Sequence, residues 1–488
     1  MEFLNLDVTW YVVLIAIFDL SVRIWAIIVV PRNRRPTAGM AWLLAIYFIP
    51  LIGLLLFFLI GNPRLPRKRR RMQAQINEFI RSSSTALDLG TLRPDPPGWF
   101  LSLARMNRRL GAMPLTGDNE AHLIADYQGS IDQMAAAIRQ ARTFVHVEFY
   151  ILQADASTEP FFAALEDAVA RGVTVRVLLD HWANRGKPYY RATTRRLTAM
   201  GALWHLMLPV QPLKGKYQRP DLRNHRKLLV IDDTVAYMGS QNVTDSSYNL
   251  RKNIRRGLHW VDLMVRLEGP IVPSVNAVFL TDWYGETHEA LTDEAMPELP
   301  PSHEGELDCQ IVPSGPGFDS ENNLRLFLGL LYAAEKQIII VSPYFVPDES
   351  LLLAVTTACQ RGVEVQLFVS EEGDQAMVYH AQRSYYEALL RAGVKIWMYR
   401  KPYILHSKSL TIDDDVAVIG SSNMDMRSFG LNMEISLLVR GEEFVDEMRT
   451  VEESYRQLSR ELTLEEWRQQ PLRSTVLDNL ARLTSALQ

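Results

Sequence analysis

Cysteine is nearly absent. Among 488 residues there are two, Cys309 and Cys359. Neither lies in a C-x-x-C or a Cys/His cluster, so neither a disulfide framework nor a zinc site is expected. A dominant charge is missing too. The formal net charge is −4 at pH 7, which argues against a global attraction to nucleic acid and leaves only local basic patches. The opening MEFLNLD has no Lys or Arg, so the apolar stretch behind it lacks the basic flank of a cleaved signal peptide. What remains is 48% apolar and 22% charged, an ordinary globular composition with length for two or three domains.

Two long apolar stretches stand at the start. Residues 8–30 read VTWYVVLIAIFDLSVRIWAIIVV and residues 38–60 read AGMAWLLAIYFIPLIGLLLFFLI. Each matches the roughly 20 residues that cross a bilayer. In the first, Asp19 and Arg23 stand four apart and can pair on one helical face. The second has no charge and is the firmer span. A transmembrane hairpin is therefore expected over 1–62. Its short link carries Arg32, Arg34 and Arg35, and the segment after it carries Arg64, Arg67, Lys68, Arg69, Arg70 and Arg71. The larger basic cluster places the C-terminal portion in the cytoplasm. Residues 63–114, with the proline-rich LRPDPPGW, read as a basic linker.

Beyond it the pattern alternates strand, helix, strand: TFVHVEFYIL (143–152), PFFAALEDAVARG (160–172), VTVRVLLD (173–180). This rhythm predicts an α/β fold. The proline-rich MPELPPSHEGEL (296–307) divides it, and then the rhythm returns with QIIIVSPYFVP, LLLAVTTACQRG and VEVQLFVS. Domains are expected at 115–297 and 305–488, the second ending in a C-terminal helix. RGVTVRVLL overlays RGVEVQLFV, so the second half repeats the first. The whole reads as an N-terminal two-helix hairpin followed by two tandem α/β domains related by a pseudo-twofold axis. Such an axis brings the same edge of each copy together.

The strongest repeat is HRKLLVIDDTVAYMGSQN (225–242) against HSKSLTIDDDVAVIGSSN (406–423). Both contain H-x-K-x4-D-x6-G-S-x-N. His and Lys two apart on a strand share a face. Two imidazoles and two ammonium groups in one cleft suit a phosphodiester. The lysines neutralise its oxygens, one neutral histidine attacks phosphorus, and the other protonates the departing oxygen. No metal is required, and H-x-K is not a metal-ligand spacing. His225, Lys227, Asp232, His406, Lys408 and Asp413 form the candidate catalytic set. Asp232 and Asp413 differ in strand parity from their histidines, and are expected to brace the turn or reach across it. Ser240, Asn242, Ser421 and Asn423 are candidate phosphate donors. Asp262 and Glu434, in strand-like segments after each motif, are each expected to orient the histidine of their own half. The other eight histidines have no comparable setting. Trp182, Trp204, Trp397 and Tyr189–Tyr190 read as packing residues.

The doubled motif resembles the phospholipase D superfamily. The apolar hairpin with NRRPTAGMAWLL, the basic tether and the two motif-bearing halves are similar to its bacterial cardiolipin synthases. The resemblance implies an inner-membrane, multi-pass phosphatidyltransferase without cofactor. It would move a phosphatidyl group between two phosphatidylglycerol molecules to give cardiolipin and glycerol through a phosphohistidine. It also implies His225 as nucleophile and His406 as acid/base, an assignment the residues themselves leave open. A membrane-bound hydrolase or another phosphatidyltransferase would use the same residues, and a non-catalytic lipid-binding scaffold would keep the fold. No nucleic-acid partner is expected of an anchored, slightly acidic chain.

Overall fold

The computed structural model describes residues 3–32, 34, 36–62, 64–84, 92–211, 216–291 and 305–483. Most of the proline-rich break expected at 296–307 lies outside them. The chain forms two compact units. One is residues 1–64 with 219–221, and the other is 65–218 with 222–488.

In the first unit α1 (Phe3–Val29) contains an apolar window, Trp10–Val29, of 20 residues and mean hydropathy 2.4, long enough to cross a bilayer. Asp19 and Arg23 pair within it at 2.7 Å. The uninterrupted span expected at 38–60 is corrected. It is two helices, α2 (Pro36–Phe48) and α3 (Pro50–Ile60), of 13 and 11 residues. Pro50 is the cause. It occupies the first position of α3, where its missing N–H costs nothing, and it drives Ile49 to φ −136°, ψ 71°. α3 then folds back on α2. The Trp42 and Phe57 rings are 5.6 Å apart, whereas fifteen residues of straight helix would separate them by about 22 Å. A Cβ on Gly53 would stand 2.5 Å from the Ala45 carbonyl oxygen, so only glycine permits the approach. Arms of 13 and 11 residues reach about 20 and 17 Å, short of the ~30 Å hydrocarbon layer.

The second unit begins with another correction. The expected linker holds α4 (Arg67–Ser83) and α5 (Gly98–Gly111). Pro66 and Pro97 stand just ahead of these helices, where proline is tolerated, so the prolines mark helix starts. Ile80, Phe100 and Leu103 are buried in the core, and Arg69 makes a two-pronged pair with Glu286, both bonds 2.8 Å. Part of the basic run is thus committed to the fold.

Among the described residues fifteen strands form the path of one large sheet, with Arg223–Asn224 joined to it off that path. The first half supplies β1 (Leu115–Ile124), β2 (Phe144–Phe149), β3 (Thr174–Asp180), β4 (Leu203–Met207), β5 (Lys227–Ile231), β6 (Val235–Gly239) and β7 (Met264–Glu268). The second supplies β8 (Leu307–Ser314), β9 (Gln337–Val341), β10 (Glu364–Ser370), β11 (Lys395–Tyr399), β12 (Ser409–Ile412), β13 (Val416–Gly420), β14 (Asn432–Arg440) and β15 (Ser459–Leu462). They run in the order β4-β3-β2-β5-β6-β7-β1-β8-β14-β13-β12-β9-β10-β11-β15. Apart from β15 the order reads the same from both ends, since each first-half strand has its counterpart seven numbers on. The axis of this pseudo-symmetry passes between β1 and β8, which pair antiparallel with Leu115 opposite Gln310. The sheet is therefore continuous across the repeat boundary. β2–β4 and β9–β11 pair in parallel, and helices such as Glu159–Ala170 and Glu349–Gln360 cross between them. Their near-continuous apolar runs follow from burial on both faces.

Candidate active site

Each motif is a β-hairpin, β5–β6 in one half and β12–β13 in the other. Its aspartate fixes the turn. Asp232 accepts from the backbone N–H groups of Arg142, Thr143 and Phe144 at 2.7, 2.9 and 2.8 Å. Asp413 accepts from those of Glu335, Lys336 and Gln337 at 2.9, 2.7 and 2.9 Å. Both sit at positive φ, 51° and 49°, a conformation aspartate tolerates. They tie the far end of each hairpin to the neighbouring strand β2 or β9. Their place in the catalytic set is corrected to a bracing one.

The glycine that follows has a steric reason. Gly239 has φ 154°, and a Cβ there would stand 2.4 Å from the Leu263 carbonyl oxygen. The chain must pass this close for Ser240 to reach Asp262.

His225 and His406 line one cavity of about 750 Å³. Their carboxylate partners are crossed. Glu434, in the second half, places both oxygens 3.0 Å from His225 Nδ1. Asp262, in the first half, places one 2.7 Å from His406 Nδ1. The expectation that each carboxylate serves its own half is therefore overturned. Backbone pairing is the reason. Arg223 and Asn224 run parallel to Asn432 and Met433 of β14, and the His225 N–H donates to the Met433 carbonyl at 2.9 Å, which brings Glu434 alongside. Likewise Tyr403–Leu405 runs parallel to His259–Val261, and the His406 N–H donates to the Val261 carbonyl at 2.7 Å, which brings Asp262 alongside. Each histidine is delivered by a strand segment that adds to the other half.

The serines complete these relays. Ser240 Oγ donates to Asp262 at 2.7 Å, and Ser421 Oγ donates to Glu434. Their hydroxyl protons are committed to carboxylates, which corrects the phosphate-binding role expected of them. Ser–carboxylate–His chains thus run Ser240–Asp262–His406 and Ser421–Glu434–His225. Asn242 and Asn423 do border the cavity. Asn242 Oδ1 accepts from the Ile151 N–H at 3.0 Å and its amide donates to the Tyr248 hydroxyl at 2.8 Å, while Asn423 Oδ1 is buried without a partner among the described residues. Lys227 and Lys408 are buried, each ammonium donating to the carbonyl of its own histidine.

Electrostatics follow from this burial. Desolvation lowers His225 to about 4, with Lys227 and Lys408 adding to it and Glu434 resisting. His406 is lowered for the same first reason. Both shifts favour the neutral ring at pH 7. Burial also lowers both lysines, Lys227 well below its ordinary value and Lys408 to about 8. Burial alone would raise Asp262, but His406, Lys408 and Ser240 outweigh it and hold the carboxyl at about 2. An anion entering the cavity reverses the first effect, since it rewards protonated lysine and imidazolium.

Several functional neighbours escaped the motif reading. Tyr150 lies 4.8 Å from the His225 ring and Tyr248 lies 6.4 Å from the His406 ring. Tyr150 and Tyr344 both line the cavity, Tyr150 just after β2 and Tyr344 just after its counterpart β9. Arg226, between the motif's His and Lys, donates to the Glu434 carbonyl at 3.1 Å and pairs with Asp282. Trp182, expected as packing, is half-exposed at the cavity rim. Among the described residues no cluster of His, Cys, Asp and Glu has the arrangement of a metal site.

A family model described as "Cardiolipin synthase, PLD-like domain" matches residues 134–258 and 327–455, and one described as "Phospholipase_D-nuclease N-terminal" matches 22–62. The chain is 31% identical over 471 residues to cardiolipin synthase A of Proteus mirabilis, covering 93% of this chain and 94% of that protein. It is 32% identical over 463 residues to cardiolipin synthase A of Pectobacterium atrosepticum, with the same coverage of 93% and 94%. The crystal structure of phosphatidylserine synthase from Haemophilus influenzae shares the fold, with a TM-score of 0.59 at 15% identity over 79% of this chain and 99% of that one.

Proposed function

Because this chain belongs to the cardiolipin synthase A family of the phospholipase D superfamily, we propose that its cleft transfers a phosphatidyl group between two phosphatidylglycerol molecules, giving cardiolipin and glycerol. The observation that carries the reading is the pair of crossed His–carboxylate contacts facing one cavity. In the first step neutral His225 Nε2 attacks phosphorus and the P–O bond to the headgroup glycerol breaks. His406, protonated once the anionic substrate is bound, gives its proton to that oxygen. Glu434 holds the Nδ1 proton of His225 and stabilises the positive ring of the phosphohistidine. In the second step the acceptor hydroxyl passes its proton to His406 and attacks phosphorus. The P–N bond breaks and His225 returns neutral. Lys227 and Lys408 offset the charge on the non-bridging oxygens. The test is product analysis with purified protein in phosphatidylglycerol vesicles. Cardiolipin and glycerol in equal amounts support the reading, with neither formed by His225→Asn. Phosphatidic acid as sole lipid product would sink it.

We infer a membrane arrangement that the folded-back pair α2–α3 supports. In this reading α1 crosses once and α2–α3 dips into the same leaflet and returns. Both basic clusters, Arg32 to Arg35 and Arg64 to Arg71, then lie on one cytoplasmic side. Two full crossings would put the first cluster outside. Single cysteines at 34 and 64 test this by labelling with an impermeant maleimide. Reaction from the same face supports a single crossing, and reaction from opposite faces restores the two-span arrangement.

A further inference from the structure

The cavity holds a second cationic lobe apart from the two motifs. Lys187, just beyond the helix His181–Arg185, and Lys252, within the helix Arg251–Arg256, both line it. Among the described residues neither ammonium is hydrogen-bonded to a carboxylate. Lys187 Nζ is 5.4 Å from the Tyr248 ring centroid, and that ring is 6.4 Å from the His406 ring, so the lobe adjoins the acid/base histidine. Asp374, which also lines the cavity and attracts Lys187, has Oδ1 engaged by the Tyr344 hydroxyl at 2.8 Å. Burial lowers the pKa of Lys187 and Lys252 lowers it further, against the pull of Asp374. Two cations in one partly desolvated wall make a site that an anion suits.

The chemistry of transfer says which anion. The catalytic pair handles one phosphate, that of the donor. The first leaving group is glycerol, which carries no charge, and the competing nucleophile, water, carries none. Only the acceptor lipid brings a second phosphate, joined to the reacting phosphorus in the product by a P–O–C–C–C–O–P chain. A cation beside His406 therefore aids the lipid acceptor and leaves water without help.

We propose that Lys187 and Lys252 bind the phosphate of the acceptor phosphatidylglycerol and so set the choice between lipid transfer and hydrolysis. The inference rests on the synthase reading above. The lysines fix the acceptor headgroup while its terminal hydroxyl attacks the phosphohistidine. The new P–O bond forms, the P–N bond breaks, and the proton goes to His406.

The experiment is the ratio of cardiolipin to phosphatidic acid formed in phosphatidylglycerol vesicles by wild type, Lys187→Met, Lys252→Met, the double variant and Lys187→Arg. A ratio is independent of how much enzyme folds. The double variant is expected to lower it by roughly tenfold or more, each single variant less, and Lys187→Arg to restore most of it. An unchanged ratio in the double variant, with cardiolipin still formed, overturns the inference alone. Wild type that forms phosphatidic acid and no cardiolipin overturns the synthase reading and this inference with it.

Discussion

The crossed relay makes a prediction that own-half pairing reverses. Glu434 and Asp262 are both buried against histidines of the opposite half, with Nδ1–oxygen distances of 3.0 and 2.7 Å. Replacing either by its amide keeps the shape and removes the charge. A charge-assisted hydrogen bond contributes about 1.5–3 kcal/mol, so each variant should slow turnover on phosphatidylglycerol by roughly 10–150-fold. The two are told apart by the leaving group. A phosphatidyl ester of p-nitrophenol departs as a stable anion and needs no acid. With it, Asp262→Asn and His406→Asn should recover most of the wild-type burst of nitrophenolate, because only the acid was impaired. Glu434→Gln and His225→Asn should stay slow, because the nucleophile is impaired. Stopped-flow absorbance reads the burst directly. Recovery by Glu434→Gln together with failure of Asp262→Asn would refute the crossed assignment.

Other expectations follow from the same geometry. Asp232→Asn and Asp413→Asn each weaken a three-bond backbone anchor, so each should lower unfolding stability by about 1–3 kcal/mol and leave the burst rate per folded molecule unchanged. Gly239→Ala places a Cβ 2.4 Å from a carbonyl oxygen at positive φ; thermal unfolding should show a loss of about 1–3 kcal/mol, with a burst slowed by displacement of Ser240. Burial lowers His225 from 6.5 to about 4, so between those values the unfolded chain binds the extra proton. Stability from the neutral ring is complete above pH 6.5 and is lost as pH falls towards 4, on the order of 3 kcal/mol; His225→Asn should therefore shrink the difference in Tm between pH 7 and pH 4.5. A chelator should leave the rate unchanged, and a rate abolished by it and restored by a divalent ion would contradict charge neutralisation by lysine.

The repeat and its chemistry were legible because they are local. H-x-K-x4-D-x6-G-S-x-N is written in eighteen residues, and its strand, turn and strand fold as one hairpin in each half. The partner of each histidine was not legible. Asp262 and Glu434 stand out in the sequence, but their assignment depends on short parallel pairings, Arg223–Asn224 on β14 and Tyr403–Leu405 on His259–Val261. Such pairings join residues more than a hundred positions apart, and no periodicity records them. The serine hydroxyls went astray for the same reason, since nothing near Ser240 or Ser421 in the chain announces a carboxylate beside it.

At the N-terminus the error had a different origin. Hydropathy reads 38–60 as one uncharged run, and a window average is blind to Pro50 and to a close approach that only Gly53 permits. Composition likewise read 63–114 as a charged linker. The burial of Ile80 and Phe100, and the Arg69–Glu286 pair, depend on what lies opposite. Lys187 and Lys252 carry no motif at all, and only the folded chain brings them into the wall of the cavity that His406 lines.

The most direct test is a structure of the protein with vanadate, which adopts the five-coordinate geometry of phosphoryl transfer. The account predicts one vanadium in the cleft, with His225 Nε2 at one apical position and His406 Nε2 within hydrogen-bonding distance of the opposite apical oxygen. Vanadate held by one histidine with the other turned away, or bound outside the cleft, would contradict it.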